Sequence, residues 1–310
     1  SNNVISSPNV VTLKLPDTLV ELGANSIVDC TNLQTIYIPY SVTTLSDTFI
    51  SNCSKLKTIY VDENVNSNRS GIKQSALINQ ITGKTPTINK YTEGGYTFSR
   101  YAVGTGNNME AKIYDYNGSN DVNIPTTLKS IPVYELNNAF KENENITSIS
   151  GGSSLTILKE KEFYGCKSLK SVDLSNTSIG IIGKNAFTRC YKLETVKIGK
   201  HVTNVGEYAF EIVDTKDCTD EPADEDHKDL DGGKLKEVTI ITDNDIEISQ
   251  GAFQRDANLE TISIKSKTTT IGKNSFRNCT NLKNVNITKN ADVTGTGDVS
   301  IRESAFEKCE

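Results

Sequence analysis

The 310-residue chain contains no tryptophan, a single methionine and two histidines. Any histidine chemistry would fall to His201 or His227, and neither is placed beside a serine or cysteine nucleophile. There is no long apolar run. A membrane-spanning helix needs about 20 consecutive apolar residues, so no part of this segment is expected to insert in a bilayer. A basic stripe is missing as well. Lys and Arg total 33 against 39 Asp and Glu, which argues against nucleic acid as a partner. The net charge of −6 is local, because Asp214–Asp231 holds nine acids against Lys216 and Lys228. That run lacks the register of a calcium loop: Asp229, Asp231 and Glu237 do not supply oxygens at the required spacings. It reads as a solvated loop, with a weak cation site or a binding loop as the alternative. The glycine clusters Gly104–Gly106 and Gly295–Gly297 lack the strand-to-helix setting and the lysine of phosphate loops. No catalytic, cofactor-binding or metal-ligating residue is assigned, and the chain reads as a non-enzyme.

What the sequence has instead is a repeat. In Ile182–Gly206 a small residue precedes Phe187, Cys190 follows three residues on, and Leu193 leads into Val196 and Ile198. An aliphatic-Gly pair closes the unit. Aligned anchors are Ile27, Phe49, Phe140, Phe163, Phe187, Phe210, Phe253, Phe276 and Phe306, with neighbouring gaps of 22 to 24 residues. The Phe210–Phe253 gap of 43 and the Phe276–Phe306 gap of 30 each carry an insertion. Val196 and Ile198 alternate with polar residues, the period-2 signal of a short strand with one buried face. One unit cannot bury a Phe, a Cys, a Leu and three aliphatics, whereas stacked units can. The chain is therefore a solenoid. The NAF, EYAF, GAF and NSF segments are predicted to be single helical turns that bury their Phe, which makes the fold class an α/β, β-rich solenoid.

The segments Leu33–Cys53 (LQTIYIPYSVTTLSDTFISNC) and Leu193–Phe210 (LETVKIGKHVTNVGEYAF) resemble the BspA-like leucine-rich repeat surface proteins almost position by position. The resemblance covers residues 13–61 and 121–310. It implies a right-handed leucine-rich repeat superhelix with short strands on the concave face and helical turns or second strands elsewhere. It also implies a secreted or cell-surface bacterial protein that mediates adhesion. The implied partners are a host extracellular-matrix or cell-surface protein, or another bacterial surface. The residues themselves support an elongated, non-enzymatic scaffold, and leave open a structural spacer or a glycan-binding module.

Three blocks are expected. Residues 1–61 form a first array and 121–310 a second, with the acidic insertion at 214–233. Between them, 62–120 break the period: Gly71–Lys84 is predicted to be a short helix, and Tyr96–Val103 with Met109–Tyr116 a β-hairpin. Degenerate repeats hidden in 62–120 are the competing reading. The tyrosines of this block (Tyr91, Tyr96, Tyr101, Tyr114, Tyr116) read as packing on a cap edge, with a binding patch as the alternative. The start at Ser1 without Met suggests a trimmed segment, and SAFEKCE stops midway through a unit, so either further chain follows or the last turn acts as a lid.

Six of the seven cysteines (Cys30, Cys53, Cys166, Cys190, Cys279, Cys309) share one repeat position, which Asn143 and Asp256 take in other copies. They read as a buried ladder of small hydrophobes. Disulfides between neighbouring turns would need a side-chain geometry that stacking is not expected to favour. Positions that recur are claimed by packing, so candidate partner-binding residues are those between the buried aliphatics. One row is Tyr37, Tyr60, Asp173, Lys197, Thr239, Ser263 and Asn286. The row two residues earlier is Thr35, Thr58, Ser171, Thr195, Glu237, Thr261 and Asn284. Such short hydrogen-bonding side chains suit many modest contacts with protein or glycan; a solvated face without a partner is the competing reading.

Overall fold

The computed structural model describes residues 4–39, 41–62, 87–102, 109–212 and 233–309. The predicted helix at 71–84 and the acidic run with His227 lie outside them. Two compact units are present: Ser1–Glu93 with Thr97–Lys112, and Gly94–Tyr96 with Ile113–Glu310.

In the second unit each repeat is one coil. Its first strand alternates as the sequence demands: along Thr195–Ile198, Val196 and Ile198 are buried while Thr195 and Lys197 face out. Seven such strands pair in parallel into a main sheet: Asp121–Ile124, Ser148–Gly151, Ser171–Leu174, Thr195–Ile198, Glu237–Ile241, Thr261–Ser266 and Asn284–Lys289. Short second strands, from Ile131–Leu136 through Ile181–Ile182 to Val299–Ile301, form another parallel stack. The aliphatic-Gly pair closes the coil because the preceding backbone is too near for a side chain. A Cβ on Gly206 would sit 2.6 Å from the Ile182 carbonyl oxygen.

The predicted helical turns are not there. Among the described residues no helix occurs, and the fold is a β-solenoid rather than α/β. Around Phe140, Phe163, Phe187, Phe253, Phe276 and Phe306 the residues two before and two after take positive φ, as in Asn185 (54°) and Arg189 (65°), or Asn274 (56°) and Asn278 (62°). A left-handed residue breaks a helix after one turn. Local i to i−3 bonds such as Cys190 N to Phe187 O (3.2 Å) alternate with bonds to the next coil. Asn185 N, Phe187 N and Arg189 N donate to Glu207 O (3.0 Å), Ala209 O (2.7 Å) and Glu211 O (3.2 Å). The turn is thus a third hydrogen-bonded face of the stack.

Behind it runs an aromatic column. Phe163 and Phe187 stack with centroids 5.1 Å apart and rings 6° from parallel, and the spacing continues to Phe306. The Phe210–Phe253 pair, 43 residues apart in sequence, stacks at 4.9 Å and 2°, so the insertion does not perturb the column. At the other end Tyr116 packs on Phe140 (5.4 Å) and Tyr96 on Tyr116 (4.6 Å). Both tyrosines are buried, as cap-edge packing requires. Beside the rings each column thiol points at the preceding coil: Cys166, Cys190, Cys279 and Cys309 Sγ donate to the carbonyls of Phe140, Phe163, Phe253 and Phe276 at 3.0–3.3 Å. Asp256, in the same slot, is fully buried beside Glu211 and its Oδ2 has no hydrogen-bond partner. Burial first, then the charge of Glu211, push its carboxyl well above the usual carboxylate range.

The first unit repeats the plan. Thr12–Lys14, Thr35–Ile38, Thr58–Val61 and Thr87–Ile88 form a parallel sheet over a core that includes Ile27, Leu33, Ile36, Phe49 and Ile59. Thr87–Ile88 extends this sheet by a rung from within the irregular block. The hairpin strands are Tyr96–Ala102 and Met109–Tyr116.

Candidate binding surface

The strand register turns the free positions into continuous rows. In the second unit Asp173, Lys197, Thr239, Ser263 and Asn286 are direct neighbours on successive strands. Ser171, Thr195, Glu237, Thr261 and Asn284 make the adjoining row in the same way. None of these side chains reaches the core; Thr195, Lys197 and Asn286 are exposed and the others of the first row half-buried. Short bonds hold parts of the surface. Asp173 Oδ1 accepts from Ser175 N (3.0 Å) and Oγ (2.5 Å), and Thr239 Oγ1 donates to Glu237 Oε1 (3.3 Å). Upstream, Thr147 and Ser148 hydroxyls both donate to Asp121 Oδ1 and hold its pKa below the usual value.

In the first unit the corresponding row reads Lys14, Tyr37, Tyr60, Thr87. Tyr37 and Tyr60 stack at 4.6 Å and 9°, and Lys14 Nζ sits 5.2 Å from the centre of the Tyr37 ring. The tyrosines therefore spend ring faces on each other and on Lys14. Next to them lies a cleft of about 570 Å³ lined by Lys14, Pro16, Asp17, Pro39, Asn89 and Arg100, among others. Its floor is a charged knot. The Arg100 guanidinium donates to both oxygens of Asp17 (3.2 Å each), to buried Asp62 (3.0 Å) and to the Tyr91 hydroxyl, and lies 4.2 Å over the Tyr91 ring. Tyr91 in turn donates to Asp62 Oδ1 (2.9 Å). Burial first, then the charge of Asp62, hold the Tyr91 hydroxyl protonated far above its ordinary pKa.

All eight candidate residues taken from the alternation thus stand on outward rows: Tyr37 and Tyr60 on one unit, Asp173, Thr195, Lys197, Thr239, Ser263 and Asn286 on the other. The sequence reading missed Lys14, which extends the tyrosine row, and Arg100, whose partner Asp17 is 83 residues away. Period-2 alternation in Thr12–Lys14 was the available signal for Lys14; nothing local signals Arg100. His201 is exposed at a coil corner. Among the described residues no group of three or more His, Cys, Asp or Glu side chains could hold a metal ion, and no helix is long and apolar enough to cross a membrane.

Stacked parallel coils with a packed interior and a free outward sheet define a solenoid repeat protein. The sequence matches the model of the BspA type leucine-rich repeat region in six copies over residues 2–99, 107–219 and 231–310, and the chain belongs to that family. A search of curated proteins gives no match. Among solved structures it is similar to a leucine-rich repeat protein from Eubacterium ventriosum (20% identity, TM-score 0.47, covering 96% of this chain and 64% of that one). It is also similar to a leucine rich cell surface protein from Faecalibacterium prausnitzii (18%, TM-score 0.37, 92% and 60%). A third is the leucine-rich repeat protein of T. pallidum (17%, TM-score 0.41, 63% and 91%). The chain spans less than two thirds of the first two of these.

Proposed function

We propose that this chain is a non-enzymatic binding segment of a secreted or surface-displayed bacterial protein, and that its partner is another protein docked on the outward rows of the main sheets. The observation that carries the reading is the second unit's pair of in-register rows. Their side chains take no part in packing, yet they are arrayed at the strand spacing of about 4.8 Å. Mixed Asp, Lys, Thr, Ser and Asn offer donors and acceptors of both signs, which suits a polar protein surface through many small contacts. Surface display draws support from the family. Adhesion to a host extracellular-matrix protein, or to a receptor on another cell, is the form of binding proposed.

The glycan reading is weaker on this surface. Sugar recognition by stacking needs an open ring face, and Tyr37 and Tyr60 cover each other with Lys14 over the first ring. Binding of the segment to immobilised matrix proteins and to a glycan array tests both readings by surface plasmon resonance. Saturable binding to a protein supports the proposal. Binding confined to glycans, or to nothing in either panel, overturns it in favour of the glycan module or the spacer.

A further inference from the structure

The cysteines are distributed in a way that packing alone does not require. In the thiol column they occur only as neighbours in consecutive coils: Cys30 with Cys53, Cys166 with Cys190, and Cys279 with Cys309. Asn143 precedes the second pair and Asp256 the third, so the slot accepts other residues where no pair is formed. Cys190 and Cys309 Sγ donate to Phe163 O and Phe276 O, the same carbonyls that accept from the backbone N–H of Cys166 and Cys279, so each thiol lies against its partner's coil. All six are free thiols in the structure. Adjacent rungs of a parallel stack lie about 4.8 Å apart, inside the Cα separation of about 4.4–6.8 Å that a disulfide needs. The rung spacing thus meets the backbone condition for a bridge, while the thiols stand free in the structure.

We infer that Cys30–Cys53, Cys166–Cys190 and Cys279–Cys309 are three pre-positioned pairs that close as disulfides between consecutive coils when the protein meets a small-molecule disulfide such as oxidised glutathione. In each closure one cysteine thiolate attacks a sulfur of the small disulfide and expels one thiolate. The neighbouring cysteine thiolate then attacks the mixed disulfide, the S–S bond between the two coils forms, and the second small thiolate leaves. One small disulfide is reduced to two thiols, and two protein thiols are oxidised. Cys309 is placed to begin: it is half-buried, and its neighbour Cys279 brings its pKa down to about 7. Each bridge closes a loop of roughly two dozen residues or slightly more, a span at which cross-linking stabilises appreciably.

The test refolds the full chain in a glutathione redox buffer, traps it with iodoacetamide, and maps peptides by mass spectrometry without reduction. Free thiols are expected to fall from seven to one, the survivor being Cys218, with the three named bridges and no others. The thermal midpoint is expected to rise by about 5 °C or more and to fall back on reduction. In the Cys190→Ala variant, Cys166 is expected to stay free while the other two bridges form. Seven free thiols after refolding, bridges joining other pairs, or chains linked to one another would each overturn the inference.

Discussion

In the first unit the outward row of the sheet runs Lys14, Tyr37, Tyr60, Thr87; in the second it runs Asp173, Lys197, Thr239, Ser263, Asn286. The strands beneath are alike: Thr58–Val61 and Thr195–Ile198 both bury their second and fourth residues. The first row is aromatic and basic, closed over by its own stacking, and borders a cleft floored by Arg100 and Asp17. The second is short, polar and open. One backbone plan thus separates two jobs. The inward columns set which coils stack, and the outward rows are free to vary because changing them leaves the core intact.

That separation can be pressed hardest where the first row meets buried charge. Arg100→Ala leaves Asp62, wholly buried, without its guanidinium. A loss of about 3 kcal/mol or more is expected in the first unit, measured by urea titration against wild type, and a loss below 1 kcal/mol would show the knot to be dispensable. Next comes the misfit in the second unit's thiol column. The pKa of Asp256 is raised in the folded state, so its stability contribution is complete below the ordinary carboxylate range, where the acid is protonated folded and unfolded alike. It is lost as pH rises through the raised folded value. Asp256→Cys restores the donor that the neighbouring coils use. It is expected to stabilise by about 1–3 kcal/mol at neutral pH and to flatten the decline with rising pH in thermal melts taken from pH 4 to 8. A variant no more stable than wild type at neutral pH would mean that the carboxyl is satisfied where it stands. Smaller still is Tyr60→Ala, which removes one stacked ring from the first row. About 1 kcal/mol is expected from calorimetry, clearly less than any buried column residue would cost.

Much of this was legible beforehand. The repeat spacing located the Phe column and the main strands, and alternation alone assigned Tyr37, Tyr60, Asp173 and Lys197 to outward positions. The helical turn was misread because a small residue and Phe, with Cys three residues on, imitates one turn of helix. The contrary signal was present two residues before the Phe. Asn138, Asn185, Gly251 and Asn274 are residue types that tolerate the left-handed conformation they adopt. The Arg100 knot could not be read from the chain, since it joins residues 17, 62, 91 and 100 through coil stacking. Asp256 stood out as an acid in a cysteine slot, but its burial against Glu211 depends on how the coils abut.

The least structural change is the most informative one. Lys197 is exposed at the middle of the second row between Asp173 and Thr239, and Lys197→Glu should shift stability by no more than about 0.5 kcal/mol. Measured side by side for thermal midpoint and for affinity to whichever matrix protein the wild type binds, the variant is expected to melt with wild type and to bind at least about tenfold more weakly. An unchanged affinity in a normally folded variant would contradict the assignment of binding to the outward row.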